Sequence, residues 1–317
     1  MSRENDLLTE RLQAGSKSYS CGGFLQSADE LLRQMIFTEL YFDRLRRKHD
    51  YILHTLHRYN NNWDQTIYHM LLRSMDVGQN RNNYITLADT VPLNVIRRDC
   101  ITQRAIENVL LGMAGLLDIF KEDEYIKAAK RQAAFTMHKF TLAPMNYKMW
   151  ALNRINPRKH PILRLSQVSK LIALDRLNMN AICRCKTIAD IEQTFRIEAN
   201  NYWSDTLMAQ TSYFAPLQYI GYDKSHLLGI NFIIPLQLAY ADYTANDNLR
   251  DQALNLLESI NAERNRYTIA WASYGVRVKN ALESQALIQL ATEFCHKQRC
   301  DECPVGKSIR QKINAQK

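Results

Sequence analysis

Residues 28–45 read ADELLRQMIFTELYFDRL. Leu32, Ile36 and Leu40 recur at i+4 with Leu31, Met35, Phe42 and Leu45 beside them, the 3.6-residue period of an amphipathic helix and not the alternation of a strand. The same reading predicts helices over 64–75, 101–120, 123–140, 188–203, 227–243, 248–260, 267–274 and 281–295. Residues 153–161, with Pro157 and Pro161, read as a loop. Pro235 is expected to kink its helix, with Asn231 bonding backbone groups that the proline frees. Glycine and proline number 10 and 7 of 317 residues, less than half the ordinary combined usage of roughly 12%. That shortage excludes most all-β architectures, and no stretch alternates convincingly. The expected fold is all-α, an irregular multi-helix domain. A weak boundary near 219–225 divides it into helical regions 1–220 and 221–317, with one continuous domain as the alternative.

A chain that is 46% hydrophobic has enough apolar surface for a real core. Its longest apolar stretch, Val109 to Leu117, is far below the roughly 18 residues of a membrane span. The start, Met1-Ser-Arg-Glu-Asn-Asp6, carries mixed charge and no apolar segment follows it, so no secretory signal is read and the cytoplasm is the expected compartment. The formal net charge of +9 favours anionic partners. Basic residues cluster at 44–48, at 154–164 (Arg154, Arg158, Lys159, Arg164) and at 297–312, which includes Lys307 and Arg310. Solvated helix faces account for any single cluster about as well as a ligand does. Three together point towards nucleic acid, with Arg154, Arg158, Lys159, Arg164, Lys307 and Arg310 as the expected contacts.

Seven cysteines make an odd count, against a disulfide framework. Three of them, Cys295, Cys300 and Cys303, fall within nine residues. Cys-x2-Cys is the spacing at which a tight turn aims two sulfurs at one ion, and Cys295 would add a third from the preceding helix end. Pro304 suits the first position of a helix and so places Cys303 at its N-cap, where backbone N–H groups favour a thiolate. Closed zinc sites and cubane clusters take four ligands, and only three stand in this segment. Cys21, Cys183 or Cys185 can join only through the fold. Zinc and an iron–sulfur cluster both stay open, as does the bland alternative of thiols packing a chain end.

No His-Glu-x-x-His, phosphate loop, dinucleotide fingerprint or Gly-x-Ser-x-Gly elbow occurs, and no catalytic set is assigned. The four tryptophans and 16 tyrosines read as core anchors before stacking platforms.

The cysteine spacing resembles part of the iron–sulfur loop of endonuclease-III-type DNA glycosylases, Cys-x6-Cys-x2-Cys-x5-Cys. Here the first gap is four and Ile309 stands in the last place. A broader resemblance rests on an ordered series: Gly112-Met-Ala-Gly-Leu-Leu117; Trp150 with Arg154; Pro161-x-x-Arg164-Leu-x-Gln167; Tyr202-Trp203; Asn231, Pro235 and Tyr240; and Glu263-Arg-Asn265. It closes with Ser284-Gln-Ala-Leu-Ile-Gln-Leu290 followed by Cys295, Cys300, Cys303 and Gly306. This series resembles the helical C-terminal part of a bacterial family, domain of unknown function 2851. Longer members resemble a restriction-endonuclease-like nuclease in an N-terminal domain with Gly-Pro-Asp-Phe and Glu-Ile-His phrases, and neither phrase occurs here. The family's Arg-x-Arg-Pro phrase appears as Asn153-Arg-Ile-Asn-Pro157.

The resemblance implies a helical module whose partner is a separate nuclease-like domain or protein. Together the features lead to a non-catalytic, nucleic-acid-associated module with a zinc or iron–sulfur site at Cys295, Cys300 and Cys303. The competing reading is a protein-interaction or structural domain with no nucleic-acid role.

Overall fold

A computed structural model describes residues 21–153, 155–209 and 219–315, and they form an all-α structure with no strand among them. Two isolated bridges, Glu198–Tyr219 and Asn261–Asn280, pair extended residues. In chain order the helices are α1 (Gly22–Ser27), α2 (Glu30–Arg58), α3 (Trp63–Met75), α4 (Arg81–Thr90), α5 (Leu93–Asp99), α6 (Gln103–Met113), α7 (Glu124–Phe140) and α8 (Pro161–Ala173). There follow α9 (Met179–Arg184), α10 (Ile188–Thr194), α11 (Asn201–Ala209), α12 (Tyr222–Leu228), α13 (Ile234–Thr244), α14 (Asp247–Ser259), α15 (Arg266–Ser273), α16 (Ala281–Gln289) and α17 (Pro304–Asn314). The chain divides into two compact units, Ile52–Ala253 and the residues up to Tyr51 with Leu254–Lys317. The expected break at 220/221 falls inside the larger of them.

Helix α2 runs 13 residues past the segment that announces it, from Leu45 to Arg58. Its i+4 row buries Ile36 and Leu40, passes through Arg44 and Lys48, and resumes with the buried Ile52 and Leu56. The two charged places are filled by hydrogen bonds: Arg44 Nε and Lys48 Nζ donate to Gln285 Oε1 at 2.6 and 3.0 Å. Polar side chains thus stand where a sequence reading sees the stripe end.

The helix expected over 101–120 ends at Met113. Gly115 takes φ +72°, and a side chain there would meet the Met145 carbonyl oxygen at 2.3 Å. Only glycine fits that close approach in a left-handed conformation. The helix expected over 188–203 is also broken. Phe195 ends α10, and α11 restarts at Asn201 with Asn200 Oδ1 accepting from Tyr202 N at 3.0 Å.

Pro235 is accommodated by a π turn over Gly229–Ile233. The Asn231 carbonyl, which has lost its helical donor, accepts from Ser74 Oγ at 3.4 Å, while Asn231 Nδ2 donates to Leu227 O at 3.0 Å. In the same unit α6 packs against α7 and α8. It buries Glu107 completely among four donors: Tyr125 OH at 3.0 Å, Trp203 Nε1 at 2.9 Å, Asn200 Nδ2 at 3.1 Å and Ser166 Oγ.

Candidate metal centre and basic cluster

Cys295 ends a π turn, Leu290–Cys295, that carries α16 past its last α-helical residue. His296 N bonds Ala291 O and Arg299 N bonds Phe294 O, both at 2.9 Å, so the chain reverses around Gln298, whose φ is 55°. Cys303 then N-caps α17, with Pro304 in the first turn, as its sequence suggests. Gly306 is fixed by contact. A Cβ there would lie 2.1 Å from the Cys300 carbonyl oxygen, so the turn between the two cysteines is packed directly on the helix start.

Cys21 joins them from the other end of the smaller unit. It N-caps α1, and its carbonyl accepts from Leu25 N at 3.1 Å. Lys312 Nζ of α17 lies 5.9 Å from the Phe24 ring centroid. A Cβ on Gly22 would come within 2.6 Å of Tyr274 Cβ, so α1 lies against α17 and the end of α15.

The electrostatics register the result. Burial pushes the Cys21 thiol up to about 12, and the charges of Cys303 and Cys300 push the same way. Cys295 is raised by burial and then by Cys21, Cys303 and Cys300. Cys303 is raised by burial and Cys300, against the backbone N–H groups of Gly306 and Val305, which favour its thiolate. Cys300 is raised by burial and Asp301, and lowered by Arg310. Every pairing of the four sulfurs is felt. Cys303 and Cys21 are buried, whereas Cys295 and Cys300 are half-exposed. Among the described residues no three Cys, His, Asp or Glu side chains stand at the spacing of a single ion's ligands.

Cys21 is the member that sequence spacing could not find, because 273 residues separate it from Cys295. Ile309, at the glycosylase-like fourth place, is a buried core residue. Cys183 and Cys185 belong to the larger unit, where Cys185 Sγ meets Ala181 O and Thr194 Oγ1.

The expected nucleic-acid contacts separate between the two units. Arg154 lies outside the described residues. Arg158 and Lys159 are exposed on a 3-10 turn, Pro157–Lys159, started by Asn156 Oδ1 accepting from Arg158 N at 3.0 Å. His160 N-caps α8, and burial lowers its pKa to about 4, so it is neutral at physiological pH. Arg164, one turn on, is 5% exposed; Nη1 donates to Gln167 Oε1 at 2.9 Å and Nε has no partner among the described residues. It is therefore not a surface contact.

Two cations that the sequence did not single out stand with it. Lys224 of α12 donates to Ser74 O and Met75 O at 2.7 and 2.9 Å, satisfying carbonyls at the C-terminal end of α3. Burial brings its pKa down to about 7, and Arg164, Lys159 and Arg81 add to the depression, opposed by Asp76. Asp76 is already committed, accepting from Gly78 N and Asn80 N at 2.9 Å. The loop is held beside this group by Asn80, which exchanges bonds with Ala151 at 3.0 and 2.8 Å, and by Asn83, which donates to Met149 O at 2.8 Å. Tyr84, ring-to-edge with Trp150 at 5.0 Å, leaves its buried hydroxyl without a partner among the described residues.

Lys307 and Arg310 are on α17 in the smaller unit. Arg310 is paired with Asp301 at 2.6 Å, and Lys307 lines a groove that also exposes Glu39, Asp43, Glu293 and Glu302. The charge of Arg310 is therefore offset by Asp301.

A family model described as a protein of unknown function, DUF2851, matches residues 4–266. The chain belongs to this family. The DUF2851 match takes in Cys21 and the whole basic cluster and stops short of Cys295, Cys300 and Cys303. No curated protein and no solved structure matches the chain. Among the described residues no helix is long and apolar enough to cross a membrane.

Proposed function

We propose that this DUF2851 chain is a nucleic-acid-associated, non-catalytic helical module of the cytoplasm, with a structural metal or iron–sulfur site at Cys295, Cys300 and Cys303. The observation that supports it is the gathering of Arg81, Lys159, Arg164 and Lys224 around one carboxylate, Asp76, that is already occupied by backbone N–H groups. Like charges held together cost free energy unless an anion shares them. Phosphate oxygens meet Arg158 and Lys159 at the surface, while Arg164 and Lys224 add field from behind. Contacts of this kind carry no base information, so binding is independent of sequence. A separate nuclease-like domain or protein is the partner implied by the family resemblance.

The test is a salt titration of duplex and single-strand binding by fluorescence anisotropy. Affinity should fall with a log–log slope of roughly −0.9 per duplex phosphate contacted. Arg158→Glu with Lys159→Glu should weaken binding at least tenfold at low salt. A flat salt response, or equal binding by the double variant, overturns this reading.

One observation favours a second reading, a protein-interaction domain: Leu31, Met35 and Phe42 of α2 are exposed at 70%, 62% and 45%. A partner protein whose binding is abolished by Leu31→Asp with Met35→Asp, with no nucleic-acid affinity in the native chain, would establish it instead.

A further inference from the structure

Three thiolates leave a closed metal site one ligand short, and the smaller unit supplies a fourth sulfur from the opposite end of its sequence. We propose that Cys21, Cys295, Cys300 and Cys303 together hold a [4Fe–4S] cluster, one thiolate to each iron, which fastens α1 to the start of α17. The proposal rests on the metal reading of Cys295, Cys300 and Cys303 above; what it adds is the fourth ligand and the identity of the group.

Packing, apart from any charge argument, holds α1 against the helix that Cys303 opens. Helix α1 is pressed so closely on Tyr274 that Gly22 has no room for a side chain, and its Phe24 ring lies under Lys312 of α17, nine residues beyond Cys303. Each of the four cysteines sits where the backbone changes direction: two at helix N-caps, one at the end of a π turn and one in the turn packed against Gly306. Wide π turns recur at functional sites because they re-aim a side chain without ending the helix. Burial disfavours the thiolate at all four. A cationic core reverses that balance.

The cysteine–proline run favours a cluster over zinc. Sulfurs bonded to one zinc at roughly 2.3 Å stand only about 3.8 Å from one another. Among the described residues no three Cys, His, Asp or Glu side chains stand as the ligands of one ion. A cubane, with an iron at each of four corners, spreads the same thiolates over a wider tetrahedron. Cys300-x2-Cys303-Pro304 also matches the way bacterial cluster runs place proline directly after a ligating cysteine. Assembly balances simply: a [4Fe–4S]2+ core displaces four thiol protons, forms four Fe–S bonds, and leaves a complex of charge 2−. The Val305 and Gly306 N–H groups lie where they offset part of that charge.

The full chain, purified anaerobically, should contain about four iron and four acid-labile sulfide per chain and show the broad visible absorption of a cubane, bleached by dithionite. Cys21→Ala and Cys300→Ala should each lose at least about tenfold in retained iron, whereas Cys100→Ala, a buried thiol outside the group, should keep it. Because a variant can fail to fold, the native chain supplies a second readout. Alkylation followed by mass spectrometry should find Cys21, Cys295, Cys300 and Cys303 protected together, and reactive together after iron is removed with a chelator. One zinc per chain without iron overturns the cluster and leaves the metal reading standing. A full cluster spectrum in Cys21→Ala, or alkylation of Cys21 in loaded protein, removes Cys21 alone. Metal-free protein with all four thiols reactive removes both readings.

Discussion

The indole Nε1 of Trp203 donates to Glu107 Oε1 at 2.9 Å, at a carboxylate with no exposed surface. The same carboxylate gathers Tyr125, Asn200 and Ser166, so α6, α7, α8 and α11 are tied through one side chain. Glu107→Ala would strand these donors at once. The expected loss is about 3–5 kcal/mol, read from the urea midpoint, because buried polar groups without partners carry their full desolvation cost. Glu107→Gln keeps an acceptor and should lose less than half as much. Equal effects of the two substitutions would mean that the cavity, not the hydrogen bonds, sets the cost.

Lys224 makes stability depend on pH in a defined direction. Unfolded, the amine holds its proton to the ordinary 10.5; folded, it holds it to about 7. Between those values the unfolded chain binds more protons, so stability rises with pH across that window relative to Lys224→Met. Bound phosphate would favour the charged amine, so nucleic-acid affinity should be higher at pH 6 than at pH 8, and that difference should vanish in Lys224→Met. A native chain whose affinity is the same at both pH values would exclude Lys224 from the interface.

Gly306→Ala tests the cysteine turn without touching a sulfur. The new methyl would sit 2.1 Å from the Cys300 carbonyl oxygen, so backbone must move. Overpacking of this kind costs about 1–3 kcal/mol. The displaced Cys300 should also release most of the bound metal, measured by elemental analysis. Normal metal content in Gly306→Ala would show that the turn tolerates displacement.

Asn80 holds the segment before the basic loop by two bonds to Ala151. Asn80→Ala should cost about 2 kcal/mol at a buried site. It should also raise hydrogen exchange in residues 149–151 before the rest of the larger unit responds. Protection unchanged there would assign the loop's order to Trp150, whose Nε1 donates to Ala114 O.

Periodicity is a strong signal where one face of a helix is apolar, so α3, α7 and α14 are legible to within a residue or two. It fails where a contact from elsewhere decides the backbone. Gly115 and Phe195 end helices because of Met145 and the Asn200 network, and α2 continues through Arg44 and Lys48 because Gln285 waits for them. The site divides the same way. Cys295, Cys300 and Cys303 announce themselves by spacing, and the 154–164 run by charge. Cys21 and Lys224 have ordinary neighbours in the chain, and only packing gives them company. Arg164 looks like its basic neighbours in a string of letters, yet the period of α8 turns it inward.

The smaller unit is discontinuous: its first residues precede the entire Ile52–Ala253 segment and its remainder follows it. During synthesis that intervening segment of 202 residues is the first of the two units to be completed. At about 5–20 residues per second that segment takes roughly 10–40 seconds to make, and α15, α16 and α17, which pack with α1 and the opening turns of α2, come only after it. Throughout that interval Cys295, Cys300 and Cys303 are still to be made, and the opening turns of α2 lack the C-terminal helices of their own unit. Order of emergence therefore lets Cys21 meet Cys295, Cys300 and Cys303 only after the larger unit has been made.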